Sequence, residues 1–296
     1  MDRRISESRA LVSRRRLLAV GGSIGIGTLL AACGSGSNDG AAVTTGAPGD
    51  LVELTTPSGT ATIQPSTAAR SDVIALLDKA QTCTLSNEET QGPYWFDVDA
   101  IRSDITEDRP GIPLDLALRV HDPADCDPEG TPKPVRNAVV EIWHCDAGGM
   151  YSGFESGSAG AGGGPPRGGE GTIADGSYAE GDAEAATTDD GTYLRGAQVA
   201  DRNGIVQFET IYPGWYPGRT VHIHVKVHVN RTTVLTTQLY FDEDTNAAVM
   251  KTEPYADRSG RDTFNDGDGI YDASGLATTQ RTAEGHLAVL NLGIDV

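Results

Sequence analysis

From Leu114 onward the chain alternates with period two. LDLALRV places leucines at 114, 116 and 118 before Val120. AVVEIWH (138–144), GIVQFETIY (204–212), HIHVKVHV (222–229), VLTTQLYF (234–241) and HLAVLNLGI (286–294) repeat the pattern. In an extended strand successive side chains point to opposite faces, so each segment offers one face to a core. Asp-Pro, Asn-Gly and Asp-Gly pairs punctuate the intervals, and no long amphipathic helix interrupts them. Short strands that must each bury one face predict an all-β fold, an antiparallel β-sandwich with long loops and few short helices. One such loop is expected over residues 153–182, which hold eleven glycines and two adjacent prolines.

The N-terminal part cannot belong to that core. Ser13-Arg14-Arg15-Arg16-Leu17-Leu18 opens an apolar, glycine-containing run that ends in Leu30-Ala31-Ala32-Cys33. The run is shorter than the ~20 residues a membrane-spanning helix needs. The pattern reads as a twin-arginine lipoprotein signal peptide over residues 1–32, removed so that a lipidated Cys33 becomes the first residue. Residues 33–80 are rich in Gly, Ser, Thr, Ala and Pro and read as a flexible tether. SDVIALLDKA (71–80) is a candidate short helix within it. Residues 81–296 then form the β-sandwich domain. Export to the outer face of the cell membrane, or beyond it, follows, with membrane contact only through the lipid anchor. The net charge of −19 argues against a nucleic-acid partner, which would need a basic face.

Export permits a disulfide. Cys126 precedes the Asp127-Pro128-Glu129-Gly130 turn and Cys145 ends the next strand, so a Cys126–Cys145 bridge across neighbouring strands is expected. Cys83 leaves other pairings open.

The densest chemistry lies in YPGWYPGRTVHIHVKVHV (212–229). His222 and His224 share a strand face about 6.5–7 Å apart, close enough to grip one metal ion. His228 has the same parity but lies about 13 Å from His224 along the strand, which suits a solvated or supporting residue. Tyr216 and Arg219 stand just upstream, and Tyr151 follows a strand and a Gly-Gly turn in EIWHCDAGGMYSG (141–153). His-x-His alone would equally suit the wet face of a sheet. His144-Cys145-Asp146 reads as a strand end with Asp146 capping the turn, and NDGDG (265–269) as a tight turn without the glutamate of a calcium loop.

Four dispersed elements resemble one family. Trp143-x-x-Asp146-x-x-Gly149-x-Tyr151, Pro213-Gly214-x-Tyr216-Pro217 and Arg219-x-x-His222-Ile223-His224 occur in the order seen in the intradiol ring-cleavage dioxygenases. Glu89-Thr90-Gln91-Gly92-Pro93-Tyr94 resembles another segment of that family, and the likeness spans roughly residues 83–245. It implies a non-haem Fe(III) ion held by Tyr151, Tyr216, His222 and His224. Tyrosinate oxygens are hard donors suited to a ferric ion, and ligand type rather than raw affinity selects the metal. The implied reaction takes a catechol-type substrate and O2 to a cis,cis-muconate-type diacid. Tyr216 would accept a substrate proton and Arg219 would stabilise charge on the ring. Gln238 stands where the family has an active-site glutamine, a place that also suits an ordinary polar strand residue. Tyr212 is the rival of Tyr216, set aside by the Pro-Gly-x-Tyr spacing. The segment between Tyr216 and Arg219 is shorter than in well-known members, and their helical dimerisation region has no counterpart here. A homodimer stays open. The competing readings are a non-catalytic exported β-sandwich that binds carbohydrate or a surface partner, and a zinc or copper hydrolase built on His-x-His.

Overall fold

The computed structural model describes residues 52–56, 59–63, 65–80, 83–98, 100–126, 133–155, 185–230 and 232–296. The predicted signal peptide, Cys33 and most of the glycine-rich loop lie outside the described residues. In chain order the elements are β1 (Val52–Thr56), β2 (Gly59–Ile63), α1 (Ser71–Leu77), β3 (Pro113–Asp122), β4 (Lys133–Pro134), β5 (Val139–Trp143), β6 (Arg195–Val199), β7 (Ile205–Ile211), β8 (His222–Val229), β9 (Thr232–Tyr240), α2 (Glu243–Val249), β10 (Thr278–Arg281) and β11 (His286–Gly293).

β1 and β2 pair as a hairpin. The other strands form two sheets. In the first, β10, β11, β3 and β4 lie in that order, with β7 also on β3. The second has the order β6-β5-β8-β9 and is antiparallel throughout. The core lies between them. Leu114, Leu116, Leu118 and Val120 of β3 meet Val140 and Ile142 of β5 and Val221, Ile223, Val225 and Val227 around β8. Each such side chain contributes roughly 1.5–3 kcal/mol when fully buried. The six segments with period-two patterning all contain strands.

Four features differ from the expectations. β11 runs parallel to β3, with Leu290 opposite Leu118, so the first sheet is mixed. β6 and β10, at the outer edges of their sheets, escape the hydrophobic pattern. β6 carries Gly196 because a side chain there would press on Ile105 of a crossing segment. Residues 65–80, expected in the tether, pack on the body: Ala69, Val73 and Leu77 cover Ala117, Ile205, Leu287 and Val289.

The disulfide joins Cys83 to Cys126, with Cα atoms 6.0 Å apart, and corrects the expected Cys126–Cys145 bridge. The reason is topological. The chain crosses between layers after Cys126, so β3 and β5 lie in different sheets and their ends are not neighbours. The segment starting at Cys83 instead runs beside the end of β3, where the Cys83 amide donates to His121 Nε2. Cys145 is free and buried, its thiol 3.6 Å from the Gly214 carbonyl.

Candidate active site

On β8 the odd residues enter the core. The even residues, His222, His224 and Lys226, face away from it and are nevertheless buried. The strap that begins at the disulfide covers them. It is laid down by hydrogen bonds from the Glu89 amide to the Thr236 carbonyl and from Thr237 Oγ1 to the Asn87 carbonyl. Gly92 of the strap lies against His224 Cε1.

Two loops bring the tyrosines to this face. After β5, Asp146 Oδ1 accepts the amides of Gly148 and Met150, a turn that delivers Tyr151. After β7, Pro213-Gly214 leads to Tyr216. The loops touch so closely that a Cβ on Gly214 would stand 2.4 Å from the Asp146 carbonyl oxygen. Gly149 has φ +81° and faces the Trp215 carbonyl, which likewise excludes a side chain. Arg258 staples the loops by donating to both the Gly148 and Trp215 carbonyls while its guanidinium lies over the Trp215 ring.

Tyr151, Tyr216, His222 and His224 thereby converge. Tyr216 Oη is 3.0 Å and Tyr151 Oη 3.4 Å from His222 Nε2. The phenol oxygens are 3.5 Å apart, and the two Nε2 atoms 3.2 Å. Donors placed about 2 Å from a common centre, a usual metal–nitrogen distance, stand about 3.3 Å apart in a tetrahedron. The four atoms therefore fit one metal ion. Among the described residues no three His, Cys, Asp or Glu side chains gather to hold a metal. A metal here must use the phenols.

The electrostatics agree with that donor set. His222 Nδ1 is 2.7 Å from the Thr220 carbonyl oxygen, which can only accept, so Nδ1 carries the proton and Nε2 presents its lone pair. Burial, reinforced by Arg219, lowers the pKa of His222 to about 3. Burial and the neighbouring His222 likewise hold His224 well below the usual imidazole range. Both rings are thus neutral, as ligands must be. Burial pushes the phenols of Tyr151 and Tyr216 upward, so their ionisation calls for a strong cation in contact with the oxygens.

Aromatic rings and cations wall the cluster. His224 stacks on Trp143, centroids 4.8 Å apart, and Tyr151 stacks on Tyr94 at 4.8 Å. The Lys226 ammonium lies 3.7 Å from the Trp95 ring centroid. Arg219 pairs with Asp268 at 2.8 Å and donates to Gln238 Oε1. Gln238, opposite His224 on β9, donates through Nε2 to the Thr90 carbonyl. Gln238 and Arg219 therefore stand together beside the four donors.

Tyr212 is elsewhere: its ring packs on Phe241 and its hydroxyl donates to Asn246 Oδ1 in the main core. His228 contacts Glu141 and Thr233 at the far end of β8. Sequence patterning placed Tyr94 only in a family-like segment and pointed to no role for Trp95, Thr220, Arg258 or Asp268. Only the doubled glycine loops hinted at so close an approach of the two tyrosine loops.

No protein-family model and no curated protein sequence matches the chain. Solved structures do. An intradiol ring-cleavage dioxygenase from Tetranychus urticae is 34% identical, with a TM-score of 0.60, covering 72% of this chain and 95% of that one. A second dioxygenase structure matches with the same values. The dioxygenase domain of a dioxygenase–carbohydrate-binding protein fusion from a cellulolytic Streptomyces is 26% identical, with a TM-score of 0.47, covering 72% and 99%.

Proposed function

Because the chain belongs to the intradiol ring-cleavage dioxygenases, we propose that Tyr151, Tyr216, His222 and His224 hold a non-haem ferric ion and that the substrate is a catechol. The convergence of two phenol and two imidazole donors at 3.0–3.5 Å carries this reading. When bound, the ferric ion supplies Lewis acidity and a template for catechol and O2.

The chain's own residues do the rest. The Thr220 carbonyl fixes the tautomer of His222. Tyr216 Oη would accept a proton from a catechol hydroxyl, because burial raises its phenol pKa and makes the phenolate a strong base. The Arg219 guanidinium faces this region and stabilises negative charge that develops on the ring. Its own protonation is secure: burial opposes the charge, but Tyr216 and Asp268 outweigh it and raise its pKa. Gln238 and Asp268 hold the guanidinium in place. Tyr94, Trp95 and Trp143 exclude water and provide flat walls that suit an aromatic substrate. Both oxygen atoms of O2 enter the product, a cis,cis-muconate-type diacid cleaved between the two hydroxyl-bearing carbons.

The test is the visible spectrum and iron content of the purified domain, with and without catechol under air-free conditions. A tyrosinate-to-iron charge-transfer band that shifts with catechol and is altered in Tyr216→Phe is expected. A protein that stays colourless after reconstitution with iron would sink the ferric site.

The same reading includes export as a lipoprotein on Cys33 after cleavage of residues 1–32. The Cys83–Cys126 disulfide supports it, since such bridges persist in oxidising compartments. Release of Cys33→Ala from the membrane fraction is the expected outcome. Sedimentation of the purified domain tests for a homodimer.

A further inference from the structure

The NDGDG turn places a buried carboxylate behind the site. Asp268 is 7% exposed. Its Oδ2 accepts from Arg219 Nε at 2.8 Å and from the Thr220 amide at 2.8 Å, while Oδ1 accepts from the Ile270 amide at 2.9 Å. Both oxygens are thus used only as acceptors. Arg219 is one of the cations beside the four-donor cluster, and Thr220 supplies the carbonyl that takes the proton of His222 Nδ1. One carboxylate therefore fixes two neighbouring residues that reach the centre by separate routes.

Thr220 is also held from its side chain. Its hydroxyl donates to Asn265 Oδ1 at 2.6 Å, and Thr220 Oγ1 accepts from Arg261 Nη2 at 3.0 Å. Arg261 is in turn paired with Glu243. The peptide at Thr220 thus has independent supports. Among the described residues Asp268 is the carboxylate that ion-pairs with Arg219.

The geometry points to Asp268 as a positioning residue of ring cleavage that acts chiefly through Arg219, aiming its guanidinium at the charge that develops on the bound catechol. This rests on the ferric-catechol reading of the site. Asn is the informative replacement. It has the same shape but turns one acceptor oxygen into a donor, which must then face either the Ile270 amide or the Arg219 and Thr220 donors. Loss of one aligned electrostatic group costs on the order of 10²–10³ in kcat.

The experiment is a double-mutant cycle on the iron-loaded enzyme with Asp268→Asn and Arg219→Gln, reading kcat, KM, iron content and the charge-transfer band. Asp268→Asn is expected to keep iron and colour because the Arg261 and Asn265 supports of Thr220 remain, yet to lose roughly 100-fold in kcat. In the Arg219→Gln background the same change should cost less than about threefold, because the group it aims is already gone. If Asp268→Asn does not fold, Asp268→Ser takes its place in the cycle. Coloured wild type with Asp268→Asn within twofold of it overturns the proposal, and so does a loss that repeats in full in the Arg219→Gln background. Wild type that takes up no iron overturns the ferric site and this proposal with it.

Discussion

The outer faces of β3 and β8 are both buried, by covers of opposite character. α1 and the segment before it lie over the β3 face and meet it with Ala69, Val73 and Leu77. Polar groups there are mostly tied to the cover: Arg119 Nε donates to Asn291 Oδ1 and its Nη1 to Asp78, while Asn291 donates to the Leu77 carbonyl, and Arg119 Nη2 is left without a partner among the described residues. The β8 face is covered by a strap and two loops that bring Tyr, Trp and Arg side chains. Lone pairs and hydroxyls there point at one another, and His224 Nδ1 has no partner among the described residues. Apolar cover makes a layer of the core. Polar cover with converging donors makes a site, and its stability depends on what completes it.

The largest expected effect tests that distinction. His224→Ala removes one of four converging donors, and changes merely around a metal ligand already cost about 10–100-fold in affinity. A loss of iron affinity beyond ~100-fold is therefore expected, measured by competition with a chelator, with the apo fold retained by circular dichroism. Unchanged iron content would break the comparison.

The disulfide anchors the start of the β8 cover. Its span of 43 residues predicts a loss of about 3–4 kcal/mol in Cys126→Ser by denaturant unfolding. Cys145→Ser should not reproduce that loss through any bridge.

Leu77→Ala should cost about 2–5 kcal/mol, because the side chain is fully buried under the β3 face. Here stability should fall while the charge-transfer spectrum stays. A spectral change would mean that the two covers are coupled.

The smallest effect concerns Glu89 in the strap. Burial raises its pKa from 4.5 to about 7, against the hydrogen bond it accepts from Tyr240. A raised folded-state pKa means that the folded protein binds the proton more tightly than the unfolded chain. Its favourable contribution is full below about 4.5 and is lost as pH rises through about 7. Glu89→Gln should flatten the decline of Tm between pH 5 and 8. An unchanged slope would show that Glu89 is solvated in the folded state.

The strands were legible because period two survives wherever one face of a strand meets a core, as in Leu114, Leu116 and Leu118. Edge strands β6 and β10 were not, since they depend on a single neighbour and carry glycine or polar residues. Tyr216 and His222 were legible as a motif because one turn and one strand carry them. Asp268 was not. It reads as an ordinary turn residue until folding sets it 2.8 Å from Arg219 Nε, a residue 49 positions earlier.

By itself the sequence determined the all-β class and carried the family resemblance, which in turn implied the four side chains proposed as donors, because strand alternation and short motifs are local properties of the chain. Tertiary structure alone decided that Cys126 pairs with Cys83, that β11 runs parallel to β3, and that β8 is buried on both faces. It also decided that Asp268 stands behind Arg219. Each of these depends on which distant segments become neighbours, and that is set by layer crossing and by the packing of covers over the sheets rather than by local preference.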